Sequence, residues 1–81
     1  MVRIGVEIEY LPGVEDPEAL NIGKNLLILG YDRVKQVSIR KTYMLDISGS
    51  REEAEKIARN IAEKLLVNKI IQNYRIKTAG E

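Results

Sequence analysis

The chain has no cysteine and no histidine among its 81 residues, no tryptophan or phenylalanine, and only two prolines. Without cysteine there are no disulfide staples, thiolate nucleophiles or soft metal ligands, which fits a reducing compartment. Without histidine the commonest general base near neutral pH and the commonest metal ligand are both missing. Carboxylates, lysine, tyrosine and hydroxyls are the chemistry that remains. Charge of one sign is also scarce: 13 Lys+Arg stand against 12 Asp+Glu, a net charge of +1, too weak a field to steer the chain onto nucleic acid or an anionic membrane. The longest wholly apolar run is Leu26, Leu27, Ile28 and Leu29, far short of the roughly 20 residues a bilayer span needs. Met1 to Val6 shows no long apolar core behind a basic leader, so no secretory signal is expected and the expected location is cytoplasmic.

What is present suits one small domain, placed at residues 1–78 with a frayed tail expected over 79–81. A domain of this size buries only about 60% of its unfolded surface. Cores of chains just below this size seldom supply more than about 3–5 kcal/mol, so association with a second surface is an expected source of stability. Val2, Ile4, Val6, Ile8 and Tyr10 alternate with polar residues or glycine and predict a strand with one buried face. Pro12 and Gly13 then predict a turn. Asp16 as N-cap, Pro17 at the first helical position and Glu18 beside the positive helix end predict a helix, which Gly30 closes as a left-handed cap.

Val34, Val37 and Ile39 suggest a second strand, and Tyr43, Leu45 and Ile47 a third, with a break expected near Arg40 to Thr42. Ser50 and Glu53 form a capping-box pair ahead of Ala54, Ile57, Ala58, Ile61, Ala62, Leu65 and Leu66, the apolar stripe of a second helix. Asn68 fits its C-cap, and Ile70, Gln72, Tyr74 and Ile76 predict a final strand. The order is βαββαβ: an α+β, ferredoxin-like plan with two helices on one face of a four-stranded antiparallel sheet. Its other face is left open. If Met44, Tyr10 or Tyr74 and apolar neighbours lie there, that face is a candidate dimer surface.

Few residues invite a chemical role. Glu7 and Glu9 share a strand face but have no converging histidine, cysteine or acid cluster, so they read as solvated carboxylates. Gly30 and Gly49 lack a phosphate-loop pattern. Arg33, Lys35, Arg40 and Lys41, interleaved with Tyr31 and Tyr43, form the densest basic stretch, yet the paired aromatics of the RNA-binding version of this fold are missing. An acylphosphatase-like phosphate loop is not visible after the first strand either. No catalytic, cofactor-binding or metal residue is assigned, and Tyr31, Lys41, Tyr43, Met44 and Asn68 are the candidate partner contacts.

Leu11-Pro12-Gly13-Val14-Glu15-Asp16-Pro17-Glu18 and Leu29-Gly30-Tyr31-Asp32-Arg33-Val34-Lys35-Gln36-Val37 resemble two signature stretches of the PurS family. Lys41 to Asp46 and Ala62 to Tyr74 continue the similarity, which spans about Val2 to Ile76. It departs at Ala19, Ser38, Arg40 and Lys69, where glycine, arginine, glycine and proline are common in the family. The resemblance implies a non-catalytic subunit of phosphoribosylformylglycinamidine synthase that joins a PurQ glutaminase to a PurL synthetase and helps ammonia pass between them. It further implies a homodimer or higher homo-oligomer, with ATP, magnesium and glutamine used by the partner subunits and no cofactor bound by this chain. The other reading carried forward is a ferredoxin-like regulatory module that binds a small ligand between paired domains.

Overall fold

The structure, a computed structural model, describes residues 1–78; the tail expected over 79–81 lies outside the described residues. Strand β1 (Val2–Tyr10) forms where the alternation is cleanest, with Ile4 and Val6 fully buried and Ile8 nearly so. It is the centre of a three-stranded antiparallel sheet of order β2-β1-β3, between β2 (Lys41–Ile47) and β3 (Gln72–Thr78). The register sets Val6 opposite Tyr43 and Ile76, and Ile8 opposite Lys41 and Tyr74. One face therefore collects Ile4, Val6 and Ile8 with Tyr43, Leu45, Ile47, Tyr74 and Ile76 around them.

Helix α2 (Arg51–Ile61) covers that face over β1 and β3. Its start is the expected capping box: the Ser50 hydroxyl accepts the Glu53 N–H at 3.2 Å, and the Glu53 carboxylate accepts the Ser50 N–H at 3.2 Å. Ala54, Ala58 and Ala62 recur at four-residue steps and are wholly buried. Their small side chains let the helix backbone lie close on the sheet, so the core is built from large strand residues against small helix residues. The helix then widens into a π turn over Ala62–Leu66, where the Val67 N–H reaches the Ala62 carbonyl at 2.9 Å. Asn68 does not cap it. Its Oδ1 accepts the Ile70 N–H at 3.2 Å and its carbonyl accepts the N–H groups of Ile71 and Gln72 at 3.1 and 2.7 Å, so it builds the turn into β3. Ile70, expected within that strand, stays exposed in the turn.

Helix α1 (Pro17–Ile28) has the predicted ends. Asp16 Oδ1 accepts the N–H groups of Glu18 and Ala19 at 3.0 and 3.3 Å. At the other end Gly30, at φ +93°, donates to the Leu27 carbonyl at 3.0 Å, and Tyr31 donates to the Leu26 carbonyl at 2.9 Å, a Schellman closure that a glycine makes without strain. Yet α1 does not sit on the sheet. Only Ala19 within it is buried, and its contacts with the strands and α2 are marginal.

The α+β class holds, but the sheet of the described residues has three strands where four were expected. Residues 34–40, expected to form a strand through Val34, Val37 and Ile39, are extended without a ladder partner. The break expected near Arg40 to Thr42 is absent as well. A hairpin there would need a turn, and residues 34–40 show no turn or bend before β2 begins at Lys41; among the described residues the left-handed positions are Gly13, Gly30 and Gly49. The result is an elongated molecule, 50 × 27 × 15 Å with a Cα radius of gyration of 16.1 Å, against about 12 Å for a compact chain of this length. Helix α1 and residues 31–40 make an arm that stands off from the body formed by the sheet and α2.

Candidate functional site

The sheet face opposite α2 carries Arg3, Gly5, Glu7 and Glu9 from β1, Thr42, Met44 and Asp46 from β2, and Asn73, Arg75 and Lys77 from β3. Its charges pair across the strands. Arg3 Nε meets Asp46 Oδ1 at 2.9 Å, Arg40 Nε meets Glu9 Oε2 at 2.8 Å, and Glu7 lies 3.9 Å from Arg75 and 3.4 Å from Lys77. The Arg3 guanidinium holds the Asp46 carboxyl below its ordinary value. Glu7 and Glu9 are thus ion-pair members. The apolar face conditionally expected here does not form, because Tyr10 and Tyr74 share the Ile8 side of the sheet and only Met44 of the named residues points outward. Met44 rests over Gly5, where a Cβ would meet its Sδ and Thr42 Cγ2, each at 3.3 Å.

The apolar surface lies on the arm instead. Leu27, Ile28, Leu29 and Tyr31 are 60%, 80%, 70% and 59% exposed, and Leu20 and Val34 are also exposed. Helix α1 packs over its own residues 34–38, with Val37 Cγ2 against Gly23, and a groove of about 530 Å³ runs between them and the Pro12 turn. Val37 and Ile39 are half-buried on the same side as Tyr43, Leu45 and Ile47. The alternation of half-buried and exposed residues holds over residues 37–40 and again over 42–47, interrupted at Lys41, which is exposed and where β2 begins. The Val34 N–H donates to the Tyr31 carbonyl at 3.3 Å, residues 34–40 join no strand, and β2 is an edge strand of the sheet of the described residues.

The predicted contact residues are dispersed. Tyr31 is on the arm, Lys41 opens β2 with its Nζ 5.9 Å from the Tyr43 ring centre, Tyr43 is half-buried beside the core, Met44 is on the charged face, and Asn68 is in the turn before β3. Lys41 and Tyr43 share the wall of a cavity of about 280 Å³ with Glu9, Tyr10 and Gln72. Sequence reading missed the Leu27 to Leu29 surface, although a signal was there: four consecutive apolar residues exceed what one helix face can bury. It also missed Glu63, which accepts the Tyr74 hydroxyl at 2.6 Å and the Lys69 ammonium at 3.0 Å and so ties the π turn, the following loop and β3 together. Those two bonds, Tyr74 first, hold the Glu63 carboxyl below its ordinary value, and the bond to Glu63 pushes the Tyr74 phenol up.

Among the described residues no ionisable side chain is buried, no buried side-chain polar atom lacks a partner, and no three metal-ligating side chains converge. No helix of the described residues is long and apolar enough to cross a membrane. The exposed apolar residues of the arm offer surface for association.

Comparison with known proteins gives a consistent picture. The model of the family described as "PurS: Phosphoribosylformylglycinamidine (FGAM) synthase" matches residues 3–80. The phosphoribosylformylglycinamidine synthase subunit PurS of Archaeoglobus fulgidus is 49% identical over 72 residues, which cover 88% of this chain and 90% of that protein. The crystal structure of PurS from Methanocaldococcus jannaschii, described as one of the subunits of formylglycinamide ribonucleotide amidotransferase in the purine biosynthetic pathway, is similar with a TM-score of 0.87 and 30% identity, covering 100% of this chain and 99% of that one. PurS from B. subtilis is similar with a TM-score of 0.86 and 28% identity, covering 99% and 100%.

Proposed function

The chain belongs to the PurS family, and from that premise we propose that it is the small, non-catalytic subunit of phosphoribosylformylglycinamidine synthase in purine biosynthesis. It works between a PurL-type synthetase and a PurQ-type glutaminase and assists the passage of ammonia from one to the other. The observation that carries this reading is the 49% identity to a protein of that name across 88% of the chain. The exposed apolar residues of the arm support it, since joining two enzymes needs shape and surface. ATP, magnesium and glutamine belong to the partner subunits, this chain binds no cofactor of its own, and the complex works in the cytoplasm.

The assembling unit is a pair of copies. Residues 34–40 of each lie along the free edge of the other's β2 as its fourth strand, and each α1 covers the open flank beyond Tyr43, Leu45 and Ile47. Self-complementarity supports this: each copy lacks one strand and one helix over β2, and each holds one unpaired extended segment and one uncovered helix. Strand addition satisfies backbone groups that otherwise rely on water, and closed two-fold pairing is the commonest solution for such surfaces.

Reconstitution tests the functional reading. With purified PurL- and PurQ-type subunits, glutamine-dependent amidation should rise when the chain is added, and the chain alone should show neither glutaminase nor ATP-dependent activity. Turnover unaffected by its omission would refute the assignment.

A further inference from the structure

We propose that the single residue Arg40 between Ile39 and Lys41 is what commits the arm to a second copy, and that lengthening this connection by one residue lets the chain close on itself as a four-stranded monomer. The proposal rests on the pairing of copies argued above and adds its structural cause.

Val37, Ile39, Tyr43, Leu45 and Ile47 are half-buried and Ser38, Arg40, Thr42 and Met44 exposed, with Lys41 an exposed member of the first set at the start of β2. A hairpin that returned residues 34–39 along β2 must set same-side residues opposite one another, Ile39 against Lys41 or against Tyr43. The first choice leaves Arg40 alone in the loop, where two residues are the usual minimum. The second spends Arg40, Lys41 and Thr42 on the loop. It removes Lys41 and Thr42 from their pairing with Ile8 and Glu7, and it needs a left-handed position where a β-branched threonine or a long cation would stand. Neither closure is available without loss. The chain stays straight through residue 40, and the strand that cannot fold back is offered outward. Connections too short to close are a recognised route to exchange of elements between copies.

The test replaces Arg40 by the dipeptide Asn-Gly, which supplies a two-residue loop of the favoured hairpin type and sets Ile39 opposite Lys41. R40A, of unchanged length, controls for loss of the Arg40–Glu9 ion pair. Light scattering should give twice the chain mass for wild type and R40A and the single-chain mass for the Asn-Gly variant. Small-angle scattering of that variant should give a radius of gyration of about 12 Å. A folded Asn-Gly variant that still pairs, or an R40A chain that becomes monomeric, would overturn the hinge proposal while leaving the pairing intact. A wild type that stays monomeric in concentrated solution would overturn the pairing and the hinge with it. Should the variant not fold, wild type diluted below its dissociation constant decides: the hinge requires an extended chain near 16.1 Å, and a compact chain near 12 Å would show that it closes without the added residue.

Discussion

Leu27→Ala separates association from folding more cleanly than any core substitution. Leu27 lies in the last turn of α1, 60% exposed in the single chain, and alanine keeps the helix because no residue has higher helix propensity. The change removes about three carbon groups at about 0.8 kcal/mol each when fully buried. Scaled by the 60% of the side chain still open to water, this is about 1.4 kcal/mol per copy. A two-fold pair loses it twice, about 3 kcal/mol, which raises the dissociation constant roughly 100-fold. A dilution series by sedimentation or light scattering reads the shift, with far-UV circular dichroism showing that helix content is kept. An unchanged dissociation constant with intact helicity would show that α1 does not bury this surface against a second copy.

Ala58→Leu forces a large side chain between α2 and the wholly buried strand residues. It should lower stability by about 1–3 kcal/mol, or about 4–8 °C in midpoint for each kcal/mol; an unchanged melting temperature would contradict the close approach of α2. Gly30→Ala meets no atom within 4 Å of its new Cβ but stands at φ +93°, so its effect of about 1–2 kcal/mol is backbone strain alone. It should weaken association without changing the melting of the body, and unaltered association would contradict the Schellman closure. Glu63, Asp46 and Glu55 titrate below their ordinary values through hydrogen bonds from Tyr74, Arg3 and Thr78 respectively. A carboxyl lowered on folding contributes stability that is present above its unfolded value and is lost as pH falls through its folded value. The melting temperature should therefore drop on acidification below about pH 4.5, less steeply for Tyr74→Phe; identical slopes would contradict the Glu63 bond.

Local rules placed most of the fold. The β1 alternation, the Asp16 and Ser50 caps and the Gly30 closure each depend on residues close in sequence, and each appears in the structure; of the stripe predicted for the second helix, Ala54, Ala58 and Ala62 are buried while Ile57 and Leu65 are exposed. The errors lie where the outcome depends on a partner. Val34, Val37 and Ile39 suggest a strand that is irregular at Lys35 and Gln36, but such a pattern says only that a segment can pair, and the single chain brings no edge to it. Asn68 suits a helix end and a turn equally, and the π turn at Ala62 settled it as a turn. The charged sheet face was hidden by register, because one residue of slip would exchange Tyr43 with Met44, and only the pairing of Gly5 with Met44 decides which is outward.

Hydrogen exchange of the backbone amides of residues 34–40, followed as a function of protein concentration, tests the arm most directly. The account requires slow exchange in the associated protein that gives way to fast exchange on dilution, while β1 amides stay slow throughout. Amides of residues 34–40 that exchange rapidly at every concentration would contradict it.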